Sequence, residues 1–71
     1  MGLHEVLQGK SARILRIDGG LMVRKKLLKM GIVPGIPVKV LQKANRGPML
    51  LSVLGNQLAI GDGMARKIVV G

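Results

Sequence analysis

With 71 residues, the chain can build one apolar core and no second domain. It has no cysteine, which excludes disulfides, thiolate zinc sites and iron–sulfur ligation, and no aromatic residue, which disfavours base-stacking platforms and aromatic grooves for proline-rich peptides. Twelve Lys and Arg against Glu5, Asp18 and Asp62 leave a net charge of +9, which points to an acidic partner surface, a nucleic acid or an anionic membrane face.

In chain order, Met1 to Val6 lacks the basic head and long apolar stretch of a signal peptide. Leu3, Val6 and Leu7 precede a Gln8-Gly9-Lys10 turn and are expected to lie over one end of the core. Ser11 to Ile17 reads as a strand. Ala12 and Ile14 share a face, and a bulge near Leu15-Arg16 would bring the out-of-phase Ile17 inward. Asp18-Gly19-Gly20 breaks the strand and offers Asp18 as a helix cap.

Leu21 to Met30 is the helix candidate, with Val23, Leu27 and Met30 as an inward stripe and Arg24, Lys25, Lys26 and Lys29 around the rest. Gly31 suits the left-handed residue that ends a helix, and Pro34 follows as a stop. Pro37 to Lys43 alternates with Val38 and Val40 inward. Asn45-Arg46-Gly47-Pro48 turns into a strand from Met49 to Leu54, and Gly55-Asn56 suggests a type II′ hairpin into Gln57 to Ile60. Met64 to Lys67 can make one helical turn before a last strand, Ile68 to Val70. The expectation is a single mainly β domain over residues 1–71. It would be a small SH3-like barrel of about five strands, with one helix between the first two and a short helical turn before the last. Closure of the barrel would remove exposed edges.

These residues carry a resemblance. Gly9-x-x-Ala12-x-Ile14-x-x-Ile17, then Arg24-x-x-Leu27-x-x-Met30-Gly31-x-x-Pro34-Gly35-x-x-Val38-x-Val40, is similar to the FeoA family of bacterial ferrous-iron uptake. Pro48, Val53, Gly55, Leu58-Ala59-Ile60, Ala65, Ile68 and Val70 continue the likeness, and its most specific block is Met30 to Gly35. The resemblance implies an SH3-like barrel that acts as a cytoplasmic accessory to FeoB, the membrane iron transporter with a GTPase domain. The partner surface would then be the basic helix: Arg24, Lys25 and Lys29, with Met22 and Leu28 as an apolar centre. Contact with a membrane would come only through that partner, and exposed Leu and Met side chains could support self-association. The alternative reading is a basic nucleic-acid-binding barrel, favoured by charge alone.

No nucleophile–base pair stands out, with Ser11 and Ser52 lacking a partner in the pattern, so an enzyme is not expected. Gly19-Gly20 before a helix lacks the Gly-Lys-Ser/Thr signature of a phosphate loop. No cofactor or small-molecule substrate is expected. His4 and Glu5 are weak candidates for a metal, since Asp62 lies far away in sequence and a stable site needs several ligands. The five Met residues read as core filling.

Overall fold

A computed structural model describes residues 1–71. After a 3-10 turn at Leu3–Glu5 come β1 (Ser11–Ile17), α1 (Leu21–Lys29), β2 (Pro37–Lys43), β3 (Met49–Val53), β4 (Asn56–Ile60), α2 (Asp62–Ala65) and β5 (Ile68–Val70). The strands form one antiparallel sheet in the order β4-β3-β2-β1-β5. The helix therefore sits between the first two strands and a short helix precedes the last, as the sequence suggests.

The sheet rolls because β1 serves two neighbours. Ser11, Ala12 and Arg13 pair with β2, whereas Ile14, Arg16 and Ile17 pair with β5. The β1–β5 register slips between Ile14 and Arg16, which places the expected bulge at Leu15 and turns Ile14 and Ile17 both inward. A second slip, between Val40 and Gln42 against β3, bends β2 as well. Nothing in the alternation of Pro37–Lys43 announces it. The fifteen buried residues, from Leu3 to Val70, are all apolar, and His4, only half-buried as a residue, has its Nδ1 buried without a hydrogen-bond partner.

Helix α1 ends as its sequence dictates. Gly31 has φ +83°, its N–H donates to the Leu28 carbonyl at 3.0 Å, and the Ile32 N–H donates to the Leu27 carbonyl at 2.9 Å. These are the two bonds of a Schellman stop, with Leu27 and Ile32 both completely buried beneath it. The rest of the inward stripe is thinner than expected, since Val23 and Met30 are only half-buried. At the other end the N-cap is Gly20, with no side chain bonded to the first turn. Asp18 does not cap the helix; Arg16 Nε donates to its carboxylate at 2.9 Å. An arginine two residues away on the same strand end outcompetes the helix amides for that carboxylate.

Three smaller expectations also change. Leu7 stands exposed while Leu3 and Val6 fill the core. The β3–β4 hairpin pairs Val53 with Asn56, so its two loop residues are Leu54 and Gly55, at φ +50° and +83°. Two positive φ angles define a type I′ turn, which matches the strand twist, in place of the expected II′. The barrel is also not hydrogen-bonded shut: β4 and β5 remain the ends of the strand order. Residues 1 and 2 cover the β5 end, where Gly2 bridges Val69 and the Val70 N–H donates to the Met1 carbonyl at 2.8 Å.

Candidate functional site

The residues singled out on α1 come together on its outer side. Positions 21, 24, 25 and 28 form one stripe and 22, 26 and 29 the next, by the 3.6-residue repeat. Since Leu27 anchors the opposite side, Arg24, Lys25, Lys26 and Lys29 are all exposed. Between them Met22 and Leu28 keep 78% and 62% of their surface in water, and Leu21 keeps 66%. Three large apolar side chains of one short helix are thus open to water together.

All three acids of the chain are engaged elsewhere: Glu5 with His4, Asp18 with Arg16 and Asp62 with Arg66. The α1 cations therefore have no acidic partner, and their combined field is uncompensated. Beside them lies a groove of about 380 Å³ between the end of β1 and α1. Ile17, Leu28, Ile32, Val33 and Pro34 supply its apolar lining, and Arg24 and the Arg16–Asp18 pair line it as well. The bond from Asp18, with its charge, raises the Arg16 pKa above its ordinary value. A wider depression of about 620 Å³ lies over Gln8, Gln42, Pro48 and Leu50. Its one charge, Lys43, is already tied to the Val6 carbonyl at 3.0 Å, so the α1 groove is the better candidate for recognising a charged partner.

Sequence reasoning found the α1 cations and the apolar residues among them, but not the groove. Arg16, Val33 and Pro34 come from segments that only the bulged β1 and the sharp helix stop bring alongside α1.

His4 and Glu5 do meet, with Nε2 and Oε1 3.5 Å apart, and the imidazole packs over Gly2. Asp62, distant in sequence, lines the same 230 Å³ pocket as His4, together with Lys43, Arg46 and Arg66. Arg66 holds Asp62 at 2.8 Å, and no three imidazole or carboxylate groups gather as a ligand set. The bond from Arg66 keeps the Asp62 carboxyl below its usual range; partial desolvation opposes this, and charge from Arg66, His4 and Arg46 reinforces it.

A family model for the FeoA domain matches residues 1–71. A curated Fe(2+) transport protein A of Methanocaldococcus jannaschii is 38% identical over 63 residues, covering 89% of this chain and 76% of that protein. Among solved structures, an iron uptake regulatory protein, FeoA, superimposes with a TM-score of 0.94 at 37% identity, over 99% of this chain and 93% of that one. The FeoA of Stenotrophomonas maltophilia, solved with zinc and described as a prokaryotic SH3 domain protein, matches at TM-score 0.86 and 25% identity, over 100% and 89% of the two chains. No helix here is long and apolar enough to cross a membrane. A family match over every residue, agreeing with the fold of solved relatives, makes this chain a member of the FeoA family, the small accessory proteins of ferrous iron transport.

Proposed function

We propose that this chain is a non-catalytic cytoplasmic accessory of ferrous iron uptake that binds the GTPase domain of a FeoB-type transporter through the outer side of α1. In this reading Arg24, Lys25 and Lys29 meet an acidic face of the partner, and Leu28 with Met22 forms the desolvated centre of the contact. Ferrous iron is the cargo of the transporter and not a ligand held by this chain. The observation that carries the reading is the set of unpaired cations around exposed Met22 and Leu28, beside the groove at Arg24. Charge of one sign speeds encounter and sets orientation, while buried apolar anchors hold the complex.

Calorimetric titration of the GTPase domain with the full chain tests this. A stoichiometric complex is expected, weakened about tenfold or more by Arg24→Glu with Lys25→Glu, in line with the loss of a complementary charge cluster. An affinity unchanged by that double reversal would sink the docking surface while leaving family membership intact. The net charge of +9 keeps a nucleic-acid-binding barrel as the second reading. Sub-micromolar binding of duplex DNA or RNA at about 150 mM salt would favour it, whereas binding confined to low salt is nonspecific phosphate attraction.

A further inference from the structure

The two ends of the sheet are treated differently. The outer edge of β5 is covered by residues 1 and 2, but β4 pairs with β3 alone, and no hydrogen bond reaches its other side. In the β3–β4 hairpin, Val53↔Asn56 closes the two-residue turn, so Leu51↔Leu58 and Met49↔Ile60 are the other hydrogen-bonded pairs. Gln57 and Ala59 are then the residues whose N–H and C=O groups point away from β3, and both are exposed.

Free edges are ordinarily blunted by a charge, a proline or a bulge. Asn56-Gln57-Leu58-Ala59-Ile60 has no charge and no proline, and its register with β3 is unbroken. Beside its end, Lys26, Met30 and Met64 line a recess with Ala59 and Ile60. Lys26 has no acidic partner, and the nearby Asp62 is held by Arg66. A second copy would bring another +9 to this edge and be repelled.

We propose that the outer edge of β4 is a strand-addition site, where an extended acidic segment of another protein pairs with Gln57 and Ala59, sets an apolar side chain by Met30 and Met64, and places a carboxylate near Lys26. Backbone bonds would supply affinity, and the recess with its lysine would supply specificity. This surface is separate from the Arg24–Leu28 groove and does not depend on the reading given to it.

The test is amide hydrogen exchange by NMR on the full chain at about 150 mM salt. The probe is a short peptide alternating valine and glutamate, N-methylated along one edge so that it cannot pair with itself, and the control is its lysine counterpart. The glutamate peptide is expected to slow exchange at Gln57 and Ala59 about tenfold or more at saturation, and the lysine peptide to leave it unchanged. Equal protection by both peptides, or shifts confined to Arg24, Lys25, Leu28 and the groove beside them, would overturn the proposal. So would protection of these amides that rises with protein concentration alone, which would assign the edge to a second copy. Ala59→Pro deletes one outward N–H without touching the β3 ladder and is expected to abolish the protection at Gln57. Should that variant not fold, Ala59→Glu keeps the amide, sets a like charge against the peptide and is expected to weaken binding about tenfold. Unchanged binding in whichever variant folds refutes the site.

Discussion

On the inward side of α1, Leu27 is completely buried and Ile32 joins it just past the helix end; on the outward side, Met22 and Leu28 keep most of their surface in water among four cations. The inward side is fixed by volume, because it must fit a core built only from aliphatic and thioether side chains. The outward side is free of that constraint, and the fold would stand with polar residues there. The exposed apolar groups among the cations form the patch to which the proposed docking is assigned.

The largest expected effect lies on the inward side. Leu27→Ala should destabilise the domain by about 2–5 kcal/mol. That is most of what a domain this small holds, so denaturant titration should find the variant largely unfolded. Next comes the helix stop. A side chain at position 31 meets no atom within 4 Å, so Gly31→Ala tests the φ of +83° alone and should cost about 1–2 kcal/mol. A variant as stable as the parent would mean that α1 can end in another way.

A stabilising change should follow at the hairpin. Leu54 is exposed, yet it sits at φ +50°, where a side chain branched beyond Cβ gains nothing. Leu54→Asn creates Asn-Gly, the preferred I′ pair, and should raise stability by about 0.5–1 kcal/mol, read as an upward shift in Tm. Leu28→Ser sharpens the contrast within α1 itself: its stability should stay within about 0.5 kcal/mol of the parent while affinity for the GTPase domain falls. A loss comparable to that of Leu27→Ala would erase the distinction between the two sides.

The smallest effect is electrostatic. Because the folded pKa of Asp62 lies below its unfolded value, the Arg66 pair stabilises the fold above the ordinary carboxyl pKa, and this contribution is lost as pH falls through the depressed folded pKa. Arg66→Met should therefore flatten the acid side of the stability profile slightly below about pH 4 and change nothing near neutrality beyond the loss of an exposed pair. An acid limb identical in both proteins would show that Asp62 is not coupled to folding.

Much of this molecule could be read in advance where one residue settles a local question. Gly31 with Pro34 ended the helix, the phase of Ile17 demanded a bulge, and the alternation of Val38 and Val40 chose a face. What escaped were choices between near-equal local partners and meetings of distant segments. Asp18 could reach either the helix amides or Arg16, and the chain composition does not rank them. The hairpin loop lies one residue earlier than expected, at Leu54-Gly55 with Leu54 at a positive φ, and either loop position keeps Leu51 and Val53 on the same face of β3, so burial alone does not rank the two. Of the candidate surface, the charges and the exposed Met22 and Leu28 were legible from helical spacing. The groove beside them needed β1 and the segment after Gly31 to be brought together, as did the meeting of His4 with Asp62.

The double duty of β1 also bears on how the chain reaches its native state. Strands β2, β3 and β4 join neighbours across short turns, whereas the Ile14↔Val70 pairing must close nearly the whole chain into a loop. That closure carries the greatest entropy loss, so the meander should condense first and the β1–β5 seam should zip late. Substitutions at Ile68 and Val70 would then chiefly accelerate unfolding, while those at Val40 and Leu51 would slow folding.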